Sequence, residues 1–333
     1  MSPVLRVENL SVGMRAGGGA YVPVLENLTF DLDAGQTIAL VGESGCGKSI
    51  TALALMRLLP DGFQVTSGSV FLEGEDILKL RPKRMRAIRG NSMSMIFQEP
   101  MSALNPVYTI GDQLSEVLRL HRGMSARDAL REAVELLRAV QIPAPEKRVA
   151  AYPHELSGGM RQRVMIAMAL ACKPKLIIAD EPTTALDVTV QAQIFDLLAR
   201  LQSETNTAII LITHDLGAVS ELANKTAVLY AGRCVENGAT DEIVRLPQHP
   251  YTKGLLSCVP HLSLGCASNR EWEDLPEIPG VVPSLGMRGA ECAFLKRCAF
   301  ATDVCANQPQ PPLAGRNEEG HLVSCWRQGE LSI

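Results

Sequence analysis

Short apolar runs alternate with helix-like stretches through the first two thirds of the chain. The runs at 37–41, 93–97, 176–179 and 208–213 have the length and the β-branched residues of buried strands. Within 125–140, apolar residues recur at helical spacing behind a serine that can serve as the N-cap. Because strands that alternate with helices pack as a parallel sheet, the pattern predicts an α/β fold.

Three segments depart from this alternation. Strand-like runs at 4–10 and 25–32 flank a glycine-rich turn. The stretch at 105–170 is predicted to be a helical insertion into the sheet. Beyond Gly238 the periodicity fades, and prolines punctuate the sequence. The pattern therefore places the regular fold before that glycine.

Composition sets the C-terminal end apart. Residues 241–333 hold six of the nine cysteines, nine of the twenty prolines and both tryptophans. At about 150 residues per domain, a chain of 333 residues predicts about two domains. We therefore expect one domain at 1–240, with a helical subdomain at about 100–170, and then a differently built Cys/Pro-rich C-terminal extension at 241–333.

The overall composition is that of a folded protein whose bulk charge gives no reason to expect a polyanionic partner, with a local basic patch as the alternative. Hydrophobic residues make up 46% of the chain, charged residues make up 20%, and the net charge is -4. These values exclude a disordered chain and give no basic excess for binding nucleic acid. No run approaches the roughly 18 consecutive apolar residues of a membrane helix, so we expect a cytosolic chain. Since disulfides are rare in the cytosol, clustered cysteines are interpreted as metal ligands first.

The segment after the strand at 37–41 fits the phosphate-loop pattern G-x-x-x-x-G-K-S. Its glycines let backbone N–H groups wrap phosphates at a helix N-terminus. Lys48 would bridge the β- and γ-phosphates, and the Ser49 hydroxyl would ligate Mg²⁺. The alternative is a plain glycine-rich turn, which the strand–turn–helix context disfavours. The predicted nucleotide-binding residues are Gly42, Glu43, Ser44, Gly45, Cys46, Gly47, Lys48, Ser49 and Ile50, with Cys46 interpreted as a tolerated small residue.

Two acidic residues follow the apolar strand at 176–179. At the carboxyl edge of the sheet, beside the phosphate loop, Asp180 suits a Mg²⁺ ligand. Glu181 is placed to polarise the attacking water as a general base. Because an Asp-Glu pair after a strand is common, these roles depend on the phosphate loop.

A Ser-Gly-Gly element opens the next predicted helix. Ser157, Gly158 and Gly159 would present free N–H groups and the positive helix end to an anion, with an ordinary serine N-cap as the alternative. With the two preceding motifs, this Leu-Ser-Gly-Gly element makes the chain resemble the ABC ATPase family, whose signature it is. The resemblance covers about 4–240. It implies a P-loop core with a parallel sheet, an antiparallel β subdomain and a helical signature subdomain.

The resemblance also implies roles for further residues. Gln98 would contact Mg²⁺ and water, 185–187 match the D-loop, and His214 would contact the γ-phosphate, although a histidine after a strand is more often structural. The family stacks an aromatic ring on adenine near the first strand. Met14 is at the closest position, and we favour Tyr21, with plain packing as the alternative. The family arrangement is a head-to-tail dimer, with each of two ATPs between one phosphate loop and the partner's signature.

The extension resembles the C-terminal region of oligopeptide/dipeptide importer ATPases. The likeness rests on 249–252, on 278–284 and on a C-x-F-x-x-R-C pattern that begins at Cys292. Four cysteines there are candidate ligands of a [4Fe–4S] cluster or of Zn²⁺: Cys292, Cys298, Cys305 and Cys325. The absence of paired C-x2-4-C knuckles favours the cluster, which some members of that family carry, and four free thiols are the third alternative. The cysteines interpreted as unliganded are Cys172, Cys234, Cys258 and Cys266.

The predicted function is that of the ATPase subunit of a peptide importer, peripheral on the cytoplasmic face of the inner membrane. The resemblance implies two transmembrane permease subunits, a second ATPase that need not be identical, and an extracytoplasmic solute-binding protein. The segment 98–106, with Met101 and Leu104, would receive a permease helix, with local packing as the alternative. Import of another solute such as nickel or glutathione, a non-transport ABC ATPase and a P-loop kinase are the competing functions.

Overall fold

The computed structural model describes residues 3–99, 103–184, 186–258, 277–283, 288–289, 291–315 and 320–329. Its strands are β1 Leu5–Arg15, β2 Tyr21–Leu32, β3 Thr37–Val41, β4 Phe63–Leu72, β5 Glu75–Asp76, β6 Met93–Ile96, β7 Leu176–Asp180, β8 Ala208–Ile212, β9 Lys225–Tyr230, β10 Arg233–Ala239, β11 Ala314–Gly315 and β12 Leu322–Val323. Its α-helices are α1 Lys48–Leu55, α2 Pro82–Ile88, α3 Ile110–Arg122, α4 Ala126–Ala139, α5 Pro145–Arg148, α6 Gly158–Leu170, α7 Val188–Thr205, α8 Leu216–Leu222, α9 Thr240–Arg245, α10 Pro250–Ser257 and α11 Asp303–Asn307. Short 3-10 turns occur at Gly17–Gly19, Ile77–Lys79, Pro153–Glu155 and Leu295–Arg297.

One mixed sheet runs through the described chain in the order β5-β4-β1-β2-β10-β9-β3-β8-β7-β6. The last five strands of that order are parallel neighbours. Every residue of β3, β7 and β8 is buried, as expected for parallel strands that helices cover on both faces. The predicted α/β fold is therefore confirmed, and all four predicted apolar strands lie in this parallel half.

The other pairings of the sheet are antiparallel, except that β2 and β10 pair in parallel at one position. β1 pairs with β2 on one side and with β4 on the other. Both N-terminal strands are longer than the apolar runs that predicted them. β4, β9 and β10 were not predicted.

The predicted helical insertion consists of α3 to α6. Thr109 caps α3 by accepting the N–H of Asp112 at 3.1 Å, and the Asp112 carboxylate accepts the N–H of Thr109 at 3.3 Å. Ser125 caps α4 as the sequence predicted: it accepts the Asp128 N–H at 3.2 Å, and its hydroxyl donates to the Asp128 carboxylate at 2.7 Å. Leu114 of α3 and Leu137 of α4 pack into one core with α6 and the parallel strands. The insertion thus holds the start of α6 in place against the sheet.

The described part of the extension packs against the rest of the chain. β12 pairs with β10, with Val323 opposite Glu236. Phe294 packs against Tyr230 and Tyr251, with ring centroids 5.2 and 5.5 Å apart. The extension therefore completes both the sheet and an aromatic cluster, and a domain boundary at residue 240 stays a prediction.

Candidate nucleotide-binding site

The loop between β3 and α1 requires glycine at three positions. Gly42, Gly45 and Gly47 have φ angles of 149°, 79° and 105°, values that glycine adopts without steric cost. A Cβ atom at Gly42 would also lie 2.2 Å from the Leu229 carbonyl oxygen. The loop ends at the N-terminus of α1, where unpaired N–H groups and the helix dipole favour an anion.

The Lys48 side chain folds back over this loop. Its Nζ donates to the carbonyl oxygens of Gly42 at 2.7 Å and of Glu43 at 3.1 Å. The Cys46 sulfur lies 3.8 Å from the same nitrogen, and burial raises the pKa of the Cys46 thiol. The thiol is therefore neutral at pH 7, which agrees with its interpretation as a small packing residue.

A hydroxyl and a carboxylate meet at the end of β7. Ser49 Oγ donates to Asp180 Oδ1 at 3.1 Å. Burial raises the pKa of Asp180, and the nearby Glu181 carboxylate adds to that rise, while the Ser49 hydrogen bond opposes it. Hydroxyl and carboxylate oxygens are ligands that Mg²⁺ prefers, so this pair fits the predicted ion.

The Glu181 carboxylate gathers the other predicted catalytic residues. Gln98 Nε2 and Thr184 Oγ1 each donate to its Oε2 at 2.9 Å, and His214 Nδ1 lies 3.7 Å from its Oε1. The Glu181 backbone is left-handed, with φ of 45°, and its N–H donates to the Ile212 carbonyl oxygen at 2.9 Å. Such a conformation costs about 1–3 kcal/mol and persists where the surroundings enforce it. Thr184 was missed, because nothing in the sequence separates it from the preceding threonine.

These groups share one open cleft. Its lining includes Gly42, Glu43, Glu181, Thr184 and His214. The cleft thus joins the phosphate loop to the predicted catalytic carboxylate within one chain.

The signature residues lie elsewhere. Ser157 caps α6 by accepting the N–H of Met160 at 3.4 Å, and Ser157 and Gly158 are both exposed. Neither they nor Gly159 is among the residues that line the cleft in the described structure. The start of α6 therefore presents its N–H groups to solvent, away from the phosphate loop of its own chain.

The adenine-stacking candidates lie on the β1–β2 hairpin. Tyr21 is 39% exposed, and its hydroxyl donates to Gln64 Oε1 at 2.8 Å. Met14 is half-buried and pairs with Val22 in the hairpin register. The Tyr21 hydroxyl is engaged with the sheet and its ring is partly accessible, so its role at adenine stays a prediction.

The four candidate ligand cysteines line one small cavity, together with Phe294 and Trp326: Cys292, Cys298, Cys305 and Cys325. None of the four forms a disulfide with another cysteine of the described ranges. Burial raises the pKa of the Cys325 thiol to about 11 and also raises the pKa of Cys292 and Cys298. Within the described ranges, no three His, Cys, Asp or Glu side chains are arranged to hold a metal ion. Of the cysteines interpreted as unliganded, Cys266 lies outside the described residues.

The predicted permease contact requires one correction. Leu104 is only 3% exposed and packs in the core of the helical insertion, so its predicted exposure was wrong. Met101 lies outside the described residues. The exposed apolar residues nearby are Val107 and Tyr108, at 71% and 55%. Tyr108 lines an open groove along α3 and α4 with Leu120 and Leu130.

Comparisons with known proteins identify the family. Residues 25–184 match the ABC transporter family, and residues 235–305 match the C-terminal region of oligopeptide/dipeptide transporters. The chain is 47% identical to the dipeptide transport ATP-binding protein DppD of Bacillus subtilis, over 99% of this chain and 96% of that protein. It is 50% identical to a predicted peptide import ATP-binding protein of Brucella abortus, over 99% and 98% of the two chains.

A solved structure agrees with these matches. The dimeric, post-hydrolysis ATP-binding cassette MJ0796, bound to ADP and Pi, aligns with a TM-score of 0.63 and 27% identity. The alignment covers 71% of this chain and 98% of the cassette. The fold is thus that of an ABC transporter ATPase. The full-length similarity and the matching C-terminal region show that the chain belongs to the oligopeptide/dipeptide importer family of ATP-binding subunits. None of the helices in the described ranges is long and apolar enough to cross a membrane.

Proposed function

We propose that this chain hydrolyses ATP to drive the import of di- and oligopeptides through partner permeases. The observation that carries the chemistry is the Glu181 carboxylate, held by Gln98 and Thr184 next to His214 and in one cleft with the phosphate loop. A carboxylate fixed by two donors can accept the proton of an attacking water in a defined direction. The names of the full-length relatives support the peptide cargo.

The residues of the cleft have separable roles in this proposal. The loop N–H groups and Lys48 bind the phosphates, and the nearby His214 contacts the γ-phosphate. Ser49, Asp180 and Gln98 would hold Mg²⁺, which when bound neutralises charge on the phosphates. Glu181 takes the proton of the water, and Thr184 holds the carboxylate oxygen that also accepts from Gln98. Tyr21 is the proposed contact to adenine.

A second subunit completes the site. Ser157 and its glycines open α6 toward solvent, outside the cleft of their own chain. A head-to-tail partner would bring these N–H groups to the γ-phosphate, since a helix N-terminus is a ready anion site. The solved cassette that aligns with this chain is described as dimeric, which supports the arrangement. The partner is a second ABC ATPase, identical or not.

The groove beside Tyr108 supports a permease partner. Val107, Tyr108, Leu120 and Leu130 are exposed apolar residues on the helical insertion. An amphipathic helix can lay its apolar face into such a groove. We place two permease subunits there in the dimer, with the chain peripheral on the cytoplasmic face of the membrane. A solute-binding protein outside the membrane would deliver the peptide, and no nucleic acid is involved.

The four cysteines fit a cluster better than a single ion. Zn²⁺ sites usually use paired C-x2-4-C knuckles, whereas these four cysteines are spaced C-x5-C-x6-C-x19-C. The four thiols line one cavity, and a [4Fe–4S] cluster takes four thiolates, each bound to a different iron. We therefore favour the cluster over Zn²⁺.

Co-purification and uptake test the proposal. The chain expressed with the permease subunits of a peptide importer from the same organism should purify with them from membranes. In proteoliposomes the complex should accumulate labelled dipeptide only with ATP. Uptake of nickel or glutathione without uptake of peptide would assign the alternative cargo, and the absence of any membrane partner would favour a non-transport ATPase.

A further inference from the structure

One phosphate-loop residue is bound from the far end of the chain. Arg297 Nη1 donates to Glu43 Oε2 at 2.6 Å, and Nη2 donates to Glu43 Oε1 at 2.9 Å. The two residues are 254 positions apart. A paired fork of this kind is the strongest ordinary arrangement between a guanidinium and a carboxylate. The extension thus reaches the phosphate loop directly.

Arg297 is itself held rigidly. Its Nε donates to the Pro279 carbonyl oxygen at 2.8 Å, and Nη2 also donates to that of Ile278 at 3.1 Å. Its guanidinium carbon lies 5.8 Å from the Tyr230 ring centroid and 5.9 Å from that of Phe294. The side chain is only 4% exposed. A guanidinium with so many fixed partners has little freedom to leave Glu43.

A second residue of the extension binds the same loop position. The Glu43 backbone N–H donates to the Tyr251 hydroxyl oxygen at 2.8 Å. Tyr251 is fully buried, with its ring centroid 4.6 Å from that of Tyr230. Lys48 Nζ donates to the Glu43 carbonyl oxygen. Residue 43 is therefore fixed through its N–H, its carbonyl and its carboxylate, and two of these three contacts come from the extension.

The Arg297 guanidinium neutralises the negative charge of Glu43 in the phosphate loop. A carboxylate in a loop that binds polyphosphate repels its ligand, and water screens this repulsion only in part because the Glu43 side chain is 30% exposed. Because the guanidinium pairs with both carboxylate oxygens, the loop presents no net charge at this position. The fixed peptide at residue 43 also sets the direction of the loop that follows it.

We propose that Arg297 and Tyr251 are positioning residues of the ATP site: the extension neutralises Glu43 and holds the phosphate loop in its binding conformation. This inference rests on the proposed function of the loop as the phosphate site. It gives the extension a role in ATP binding that is independent of any metal at its cysteines.

Nucleotide titrations of full-length variants test this role. Arg297→Gln should raise the Kd for MgATP about tenfold, because an unpaired Glu43 then faces the phosphates. In a Glu43→Gln background, Arg297→Gln should change the Kd less than threefold. Tyr251→Phe should raise the Kd about threefold. Equal effects of Arg297→Gln in both backgrounds would overturn the proposed neutralisation.

A matched arginine controls for docking of the extension. Arg288 also joins the extension to the core, through Glu26 at 3.0 Å and the Ala231 carbonyl oxygen, but it does not bind Glu43. Arg288→Gln should leave the Kd within twofold of wild type. If Arg288→Gln raises the Kd for MgATP as much as Arg297→Gln does, packing of the extension on the core accounts for the whole effect, and the proposal is overturned.

Two further variants keep the outcomes separate. If Arg297→Gln does not fold, Arg297→Lys keeps the charge without the fork and should give an intermediate Kd; a wild-type Kd would overturn the proposal. Lys48→Ala should abolish MgATP binding. If Lys48→Ala still binds MgATP, the proposed phosphate site itself is wrong. If Lys48→Ala abolishes MgATP binding and Arg297→Gln leaves the Kd unchanged, only the positioning role is rejected.

Discussion

Gln98 Nε2 lies 2.9 Å from Glu181 Oε2, across 83 residues of sequence. This hydrogen bond joins the end of β6 to the end of β7, and β8 places His214 on the other side of the same carboxylate. The arrangement makes Glu181 the centre of the candidate catalytic site.

Replacing the central carboxylate should separate binding from hydrolysis. Glu181→Gln removes the proton acceptor and preserves the size of the side chain, so ATP turnover in the assembled complex should fall by about 10²- to 10⁴-fold. MgATP affinity should stay within a few-fold of wild type, measured by titration. Glu75→Gln, at an exposed ion pair with Arg84, is the matched control. Undiminished turnover would refute the role of Glu181 as the base.

The signature should matter to turnover without affecting ATP binding by a single chain. Ser157→Arg places a bulky side chain at the open start of α6, where the partner's γ-phosphate would approach. Turnover should fall at least tenfold, while MgATP binding by the isolated chain should change less than twofold. Ser203→Arg, at an exposed position of α7, controls for the added charge. If Ser157→Arg weakens ATP binding in the single chain, the signature acts within its own subunit.

The folding stability of the protein should fall at acidic pH because of one buried histidine in the extension. Burial lowers the pKa of His249 to about 4, although the Glu236 carboxylate opposes the shift. The unfolded chain binds the proton near pH 6.5, so the neutral histidine contributes stability above that pH. This contribution, about 3 kcal/mol at most, is lost as the pH falls from about 6.5 to about 4.

Thermal unfolding followed across that pH range measures the loss. His249→Asn can still cap α10, where His249 Nδ1 now accepts the Tyr251 N–H at 3.1 Å. The melting temperature of this variant should depend less on pH between 6.5 and 4. An identical slope in wild type and variant would exclude His249 as the titrating group.

The cysteine cavity should bind iron. After anaerobic purification the chain should carry about four iron atoms and absorb near about 400 nm. Cys292→Ser should lose that absorbance, and Cys172→Ser, outside the cavity, should keep it. One zinc atom per chain, or four titratable thiols without metal, would contradict the cluster.

The parallel strands could be predicted from sequence because burial on both faces leaves an unbroken apolar run. The run at 37–41 coincides with β3, and the run at 208–213 exceeds β8 by one residue. β10 was missed because it contains Glu236, a charged residue that is fully buried. Its carboxylate binds His321 Nε2 at 2.7 Å and the His249 N–H at 3.0 Å, and these partners lie 85 and 13 residues away in the sequence.

The candidate site could be predicted where a sequence motif lies between a predicted strand and a predicted helix. Glycines, Lys48 and Ser49 follow a strand at fixed spacing, so the phosphate loop could be identified from the sequence alone. The Arg297–Glu43 pair could not, because no local pattern reports a contact between residues 254 positions apart. The burial of Leu104 could not be predicted either, because it depends on how the helical insertion packs.

ATP-dependent peptide uptake tests the central claim most directly. The complex of this chain with its permeases and second ATPase, reconstituted in proteoliposomes, should accumulate labelled dipeptide when ATP and the solute-binding protein are present. The same complex with Glu181→Gln should bind ATP and accumulate none. Uptake that persists with the variant, or a wild-type complex that hydrolyses ATP and moves no peptide, would contradict the account.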